Sequence, residues 1–144
     1  MKTLDFPPET LPWVDREDFG EELHRRFAKR LLSFEEGELA CQWHERGFVI
    51  LRQAVEPGLI DRMLADYETA WKEKPACKIL MEGEGVILLE HARDRREFGH
   101  HHYRLMDFHN LSEACAAIMM HPRILRFLRI LFEDIPASMQ TLFF

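Results

Sequence analysis

The sequence has few cysteines and no excess of basic residues, and each of these absences excludes a class of protein. The three cysteines, Cys41, Cys77 and Cys115, lie far apart and form no CxxC pair that would bind zinc or exchange disulfides. Their apolar neighbours predict buried free thiols. The formal net charge is −6, with basic and acidic residues interspersed, so we expect no nucleic-acid partner.

Long apolar segments are also absent. No run approaches the roughly 20 apolar residues that a membrane-spanning helix needs. The first residues, MKTLDFPPETLPW, contain no apolar stretch of the kind found in signal peptides. We therefore expect a cytoplasmic protein with no membrane partner. Hydrophobic residues make up 47% of the 144 residues and charged residues 31%, which is typical of a globular domain.

The common catalytic and metal-binding motifs are missing. The chain has no Gly-rich phosphate loop, no GxSxG, no HExxH and no HxD or HxE. The run His100, His101 and His102 is the most obvious metal candidate, but alternate residues of a strand point to opposite faces. Only His100 and His102 could therefore share an ion, and we favour a solvated loop that titrates near neutral pH. We assign no metal ligand and no catalytic residue.

The N-terminal third predicts two helices. A lead-in at residues 1–34 carries an apolar residue at every fourth position, which indicates one face of a helix: Phe19, Leu23 and Phe27. Ser33 and Glu36 then form a capping box, in which each side chain accepts a hydrogen bond from the backbone of the other. The second helix should end at Gly47, which readily takes the left-handed conformation of a C-terminal cap.

Three further helices are predicted after residue 56. One begins at Pro57 and carries a broad apolar stripe of Leu59, Ile60, Met63, Leu64, Tyr67 and Trp71. Asn110 and Glu113 repeat the capping pattern before an Ala-rich helix, which should stop near His121 because Pro122 follows. The last helix carries Ile124, Leu125, Phe127, Leu128, Ile130, Leu131 and Phe132.

Four segments predict β-strands. Residues 48–51 and 86–90 are continuous apolar runs that suggest strands buried on both faces. Residues 103–108 suit a short strand, and a final strand should begin near Ala137. We interpret residues 72–85 as a connection and residues 91–102 as an exposed loop. The apolar end, SMQTLFF, would need a neighbouring strand, so we expect residues 35–144 to be the front part of a larger domain.

The order of these segments resembles the N-terminal part of the phytanoyl-CoA dioxygenase family, which are Fe(II)- and 2-oxoglutarate-dependent oxygenases. The segments that carry the resemblance are GFVIL, EPGLIDRM, YRLMDFHN, HPRILRFLRILF and QTLFF, in this order across residues 35–144. The resemblance implies a mixed α/β (α+β) fold. The chain would supply the N-terminal helices and first strands of a double-stranded β-helix, the jelly-roll or cupin-like fold of these enzymes, in incomplete form.

The resemblance also implies a function for the complete protein. Such an enzyme would use Fe(II) and 2-oxoglutarate to hydroxylate a small-molecule substrate. In the family a His-x-Asp motif follows a segment like QTLFF, and a second His comes much later. This chain contains neither, so we expect it to be inactive alone and to bind neither cofactor tightly. The alternative is a non-catalytic binding or oligomerising remnant that self-associates through its C-terminal strand.

Two residues are candidates for binding the cosubstrate by this resemblance. Gln140 matches an amide side chain that can hydrogen-bond 2-oxoglutarate, and it would share a strand face with Leu142 and Phe144. A buried amide without a partner costs roughly 1–3 kcal/mol, so Gln140 could instead bond a neighbouring backbone group. Tyr103, on the preceding strand, is the second candidate, and the alternative for it is a half-buried strand aromatic.

Two more groups admit a functional and a structural interpretation. Asp107 and His109 could form an acid–base pair on one face of a strand, but a turn in which Asp107 binds backbone donors is the interpretation that we favour. The last helix carries an arginine at every third position: Arg123, Arg126 and Arg129. These could hold an anionic group, although such stripes are usually the solvated side of an amphipathic helix.

Overall fold

The computed structural model describes residues 7, 10–81, 85–92 and 103–143. Within these residues the chain has a mixed helix-and-sheet fold, so the α+β class is confirmed. The helices are α1 (Phe19–Ala28), α2 (Phe34–Arg46), α3 (Pro57–Glu73), α4 (Glu113–Met119) and α5 (Pro122–Phe132). The strands are β1 (Lys78–Met81), β2 (Gly85–Leu88), β3 (Tyr103–Met106) and β4 (Leu142–Phe143). No helix in these described ranges combines the length and apolarity needed to cross a bilayer.

The chain divides into two compact units. The first comprises Met1–Arg52 and Pro122–Pro136, and the second comprises Gln53–His121 and Ala137–Phe144. The first unit therefore contains α1, α2 and α5, and the second contains α3, α4 and the sheet. The predicted boundary at residue 34 between a lead-in and the main domain falls inside the first unit, and that division stays a prediction.

The core of the first unit forms around Trp13. This side chain is 1% exposed, its Nε1 donates a hydrogen bond to the carbonyl oxygen of Ile130 at 2.7 Å, and its ring stacks on Phe19. The guanidinium of Arg26 lies 4.2 Å from the centre of the Trp13 ring, a cation–π arrangement. The other buried residues of this core are Val14, Leu32, Ala40, Phe127, Ile130 and Leu131.

The predicted capping box at the start of α2 is confirmed. The Ser33 backbone N–H donates to Glu36 Oε2 at 2.7 Å, and the Glu36 backbone N–H donates to Ser33 Oγ at 3.2 Å. At the other end, Gly47 has a φ of 72° and caps the helix in the left-handed conformation. Both helix ends follow from local sequence because the capping groups lie within one turn of the helix.

An ion-pair network around the buried Glu22 and Arg26 connects α1 to the segment after α5. Glu22 is buried and pairs with Arg25 and Arg26, and the Nε of Arg26 lies 2.6 Å from Glu22 Oε1. Arg26 Nη2 also donates to Glu133 Oε1 at 2.7 Å. Burial alone would raise the pKa of Glu22, but the hydrogen bonds and charges of the two arginines outweigh it and place that pKa below 4.5.

This network predicts a pH dependence of stability. Because the Glu22 pKa is lower in the folded than in the unfolded chain, its contribution is complete above pH 4.5 and is lost as the pH falls through the folded pKa. We expect Glu22→Gln to weaken the decline of the free energy of unfolding between about pH 5 and pH 3, measured by urea denaturation. Glu21→Gln, on the exposed neighbour, is the matched control. Parallel acid profiles for wild type and Glu22→Gln would contradict this account.

The second unit contains one antiparallel sheet in the order β2-β1-β3-β4. Ile79 of β1 pairs with Ile87 of β2 and with Leu105 of β3, and Met106 pairs with Leu142 of β4. One face of the sheet joins a core that includes residues from α3 and α4. The buried members are Tyr67, Ala70, Trp71, Cys77, Ile79, Met81, Leu89, Ala92, Leu105, Phe108 and Cys115.

Two strand predictions were wrong. Residues 48–51 form no strand, and Phe48 and Ile50 are 54% and 59% exposed. Their neighbours Val49 and Leu51 pack on the core of the first unit, so only alternate side chains of this run are covered. Conversely, residues 72–85, predicted as a connection, contain β1, which is an inner strand of the sheet.

Other elements were predicted, but their observed boundaries or burial differ from the prediction. The strand predicted at 86–90 exists as β2, but it is an edge strand with exposed side chains rather than a buried one. β3 is confirmed at Tyr103–Met106. The final strand does not begin near Ala137, because β4 contains only Leu142–Phe143. The N-cap of α4 is Ser112, whose Oγ accepts from the Cys115 backbone N–H at 3.0 Å, rather than Asn110.

Candidate functional site

The face of the sheet that points away from the core is the main candidate site. Cross-strand partners share a face, so the pairings of Leu80 with Val86 and Arg104, and of Met106 with Leu142, place these side chains together. Lys78 pairs with Leu88 on the same face, and we call the whole set the open sheet face: Lys78, Leu80, Val86, Leu88, Arg104, Met106 and Leu142. Val86, Leu88 and Leu142 are 53%, 37% and 41% exposed. The surface is therefore mainly apolar, with the basic groups of Lys78 and Arg104.

Gln140 lies next to this face but outside the strand. It is exposed and precedes Leu142 by two residues, so an extension of β4 would place both side chains on the open sheet face. The expectation that Gln140 stands among buried apolar residues and needs a buried partner does not hold, because its side chain faces solvent. Its role in binding 2-oxoglutarate stays a prediction.

Tyr103 lies on the opposite, core-facing side of the sheet. Its hydroxyl is 2.6 Å from the hydroxyl of Tyr67 on α3, and its ring meets Trp71 edge to face at 5.1 Å. These two residues are the only tyrosines in the chain. Tyr103 is half-buried, as the structural alternative proposed. It stands at the end of β3 opposite to Asp107 and Gln140, so the structure does not bring the two cosubstrate candidates together.

The tyrosine pair predicts a non-additive loss of stability. Tyr67→Phe and Tyr103→Phe each remove one partner of the same hydrogen bond, so each should lower the free energy of unfolding by about 0.5–1.5 kcal/mol. The double variant should cost little more than either single one. Urea denaturation of the three variants measures the coupling. Strictly additive losses would show that the two hydroxyl groups do not stabilise the fold through their mutual bond.

Thr141 connects the segment before β4 to the end of β3. Its carbonyl oxygen accepts from the Asp107 backbone N–H at 2.9 Å, and its Oγ1 lies 3.0 Å from His109 Nδ1. His109 therefore bonds Thr141, and the acid–base pair with Asp107 remains a prediction. Asp107 has a φ of 54°, a left-handed conformation that aspartate tolerates better than most residues. Its side chain does not cap the following 3₁₀ turn, Phe108–Asn110.

Sequence reasoning identified neither Thr141 nor Tyr67 as a site residue. Nothing local to Thr141 indicates a bond to His109, 32 residues away. A signal did exist for Tyr67. It lies on the apolar stripe of α3, and a buried tyrosine hydroxyl usually finds a hydrogen-bond partner.

The cysteines are free thiols with raised pKa values. Cys77 and Cys115 are buried and Cys41 is half-buried. Burial is the main cause of the raised pKa of all three thiols, with a further contribution from Asp107 at Cys77 and from Glu45 and Glu38 at Cys41. Because the thiolate is the reactive form, these side chains are poor nucleophiles. The prediction of buried free thiols is confirmed for Cys77 and Cys115.

The arginine stripe of α5 forms exposed ion pairs. Arg126 Nε donates to Glu36 Oε1 at 2.8 Å; this bond lowers the pKa of Glu36 and raises that of Arg126. Arg123 lies 3.6 Å from Glu35. Arg129 is also exposed. The stripe is therefore the solvated side of the helix, as the structural interpretation proposed.

Within the described ranges, no three histidine, cysteine, aspartate or glutamate side chains converge in a way that could hold a metal ion. The run His100–His102, the metal candidate of the sequence, lies outside these residues. Phe144, predicted to share a strand face with Gln140, also lies outside them.

Comparison of the chain with models of known protein families, with curated proteins and with solved structures finds no match in any of the three sets. Membership of the phytanoyl-CoA dioxygenase family therefore stays a prediction from the resemblance of the sequence segments.

Proposed function

We propose that this chain forms the N-terminal part of an Fe(II)- and 2-oxoglutarate-dependent oxygenase that hydroxylates a small organic substrate. The observation that carries the proposal is the two-faced antiparallel sheet. One face packs against α3 through Ile79, Met81 and Leu105, and the other is the mainly apolar open sheet face. A sheet of this kind suits one layer of a double-stranded β-helix, in which helices cover the outside and the reaction takes place inside.

The chain's own contribution in such an enzyme is scaffold and cosubstrate binding. Gln140, beside the open sheet face, would donate its amide N–H to a carboxylate of 2-oxoglutarate. Tyr103 lies on the side of the sheet that faces α3, with its hydroxyl 2.6 Å from that of Tyr67, so Gln140 alone is proposed as a cosubstrate ligand. The residues of this chain do not fit the iron: the sequence has no His-x-Asp or His-x-Glu. The His-x-Asp motif and the distal His would come from sequence outside residues 1–144.

An assay of 2-oxoglutarate turnover tests the proposal. We expect the product of the full coding sequence, supplied with Fe(II), to convert 2-oxoglutarate to succinate, and the 144-residue chain to be inactive under the same conditions. In the active protein, Gln140→Leu should raise the KM for 2-oxoglutarate at least tenfold, because a hydrogen bond to a charged group contributes about 1.5–3 kcal/mol.

Gln42→Leu is the matched control for that variant, because it removes the same amide from the first unit. Equal KM values for Gln140→Leu and wild type would remove Gln140 from the cosubstrate site. Absence of succinate formation by the full product would overturn the oxygenase proposal itself.

The second candidate is a non-catalytic binding module that self-associates. The exposed apolar side chains of the open sheet face favour it, because edge strands and apolar sheet faces are frequent sites of association. Light scattering tests this candidate, which predicts a dimer. Val86→Asp should dissociate that dimer, whereas Ile60→Asp, on the exposed side of α3, should leave it intact. A monomer at all concentrations would contradict it.

A further inference from the structure

We propose that the first unit carries a binding site for a small amphiphilic anion, at a pocket lined by Arg46, Arg52 and Arg123. The pocket has a volume of about 330 Å³, within the range of small-molecule sites. Its three guanidinium groups come from separate parts of the chain: the last turn of α2, the segment that follows it, and the first turn of α5. The site is independent of the proposed oxygenase function.

Positive charge at this pocket contrasts with the acidic chain around it. The net charge of the protein is −6, yet three arginines line the pocket against two glutamates, Glu35 and Glu38. Arg123 Nη2 lies 3.6 Å from Glu35 Oε1, with both side chains about half or more exposed, and Arg123 Nη1 donates to the carbonyl oxygen of Arg52 at 3.5 Å. The structure shows no ion pair from Arg46 or Arg52 to any residue that it describes.

Three apolar side chains also line the pocket. Leu39 and Leu51 pack against the core of the first unit, and Ile50 lines the same pocket with most of its side chain in solvent. A guanidinium binds a carboxylate or phosphate through paired hydrogen bonds. The combination of guanidinium groups and apolar side chains therefore selects a ligand with an anionic head and a short apolar body.

A structural role accounts for only part of this arrangement. Arg46 lies in the last turn of α2, where a cation complements the helix dipole. Arg52 lies six residues further along, outside any helix. The side chain of Ile50 is exposed, whereas those of its neighbours Val49 and Leu51 pack on the core of the first unit. Arg52 is therefore the residue whose substitution separates ligand binding from helix stability.

Calorimetric titration of the intact chain with octyl phosphate at low ionic strength tests the proposal. We expect saturable binding of one ligand per chain. Arg52→Gln should weaken it about tenfold or more, because a hydrogen bond to a charged group contributes about 1.5–3 kcal/mol. Arg62→Gln, an exposed arginine of α3, is the matched control and should leave the affinity unchanged. If Arg52→Gln fails to fold by circular dichroism, Arg46→Gln takes its place.

Two further arms identify the ligand class. Ile50→Ser should weaken the binding of octyl phosphate severalfold. It should leave the binding of inorganic phosphate, which we expect to be weaker, unchanged. Vesicles containing phosphatidate should not retain the protein on sedimentation, because the pocket fits a free amphiphile. The proposal would be overturned if the chain showed no saturable binding of octyl phosphate, or if Arg62→Gln weakened that binding as much as Arg52→Gln does. It would also be overturned if inorganic phosphate and octyl phosphate bound with equal affinity, or if vesicles retained the protein in a way that depends on Arg52.

Discussion

Replacement of Leu105 by alanine is expected to lower the free energy of unfolding by about 2–5 kcal/mol, whereas replacement of the adjacent Met106 should cost about 1 kcal/mol or less. Leu105 is fully buried on the core side of β3, and truncation there leaves a cavity among Ile79 and its neighbours. Met106 belongs to the open sheet face and is only half-buried. The two residues share a strand and differ mainly in the face to which they point.

Chemical denaturation of the two variants measures this difference directly. The comparison is internally controlled because both substitutions shorten a side chain to alanine in the same four-residue strand. Equal losses of several kcal/mol would mean that both faces of the sheet are packed within the chain. The open sheet face, and the oxygenase architecture proposed from it, would then be wrong.

Trp13→Ala is expected to destabilise the first unit by about 3–5 kcal/mol. The substitution removes a fully buried ring, its stacking on Phe19, the cation–π contact with Arg26 and the hydrogen bond to the Ile130 carbonyl oxygen. Thermal unfolding followed by circular dichroism measures the effect. A loss below about 1 kcal/mol would show that the core of the first unit does not depend on this side chain.

A pair of milder variants separates the hydrogen bond from the packing. Trp13→Phe and Trp43→Phe each remove an indole N–H and retain an aromatic ring. The Trp13 bond is buried at 2.7 Å, whereas Trp43 donates to Asp15 at 3.2 Å in an exposed position. We expect Trp13→Phe to cost about 1–3 kcal/mol and Trp43→Phe less than about 0.5 kcal/mol.

The helices could be predicted from the sequence because their signals are local. The capping box of Ser33 and Glu36 and the left-handed Gly47 lie within one turn of the helix ends that they determine. The apolar stripe of α3 likewise repeats within the helix itself. Such patterns need no knowledge of what the helix packs against, only of which face is apolar.

The strands were harder to predict because their identity depends on distant partners. Residues 48–51 and β1 have similar apolar character, yet only β1 has neighbouring strands on both sides. Four residues of sequence do not show this difference. The extent of β4 likewise depends on pairing with β3, about 36 residues earlier in the chain.

The candidate sites depend on the same long-range contacts. The sequence groups Arg123, Arg126 and Arg129 by their spacing along one helix, whereas the folded unit groups Arg123 with Arg46 and Arg52 around a pocket. It also allows an acid–base pair of Asp107 and His109 beside the favoured structural turn, whereas in the fold His109 Nδ1 lies 3.0 Å from Thr141 Oγ1. Local periodicity indicates which side chains share a face, and the tertiary fold determines which ones converge.

The most direct test of the central claim, that this chain is the N-terminal part of an oxygenase, is the sequence of its transcript across codon 144. The proposal predicts an in-frame continuation with a His-x-Asp motif shortly after QTLFF and a histidine much later, which would complete the iron site. A stop codon directly after Phe144, or a continuation without these residues, would contradict it and leave the non-catalytic binding module as the better account.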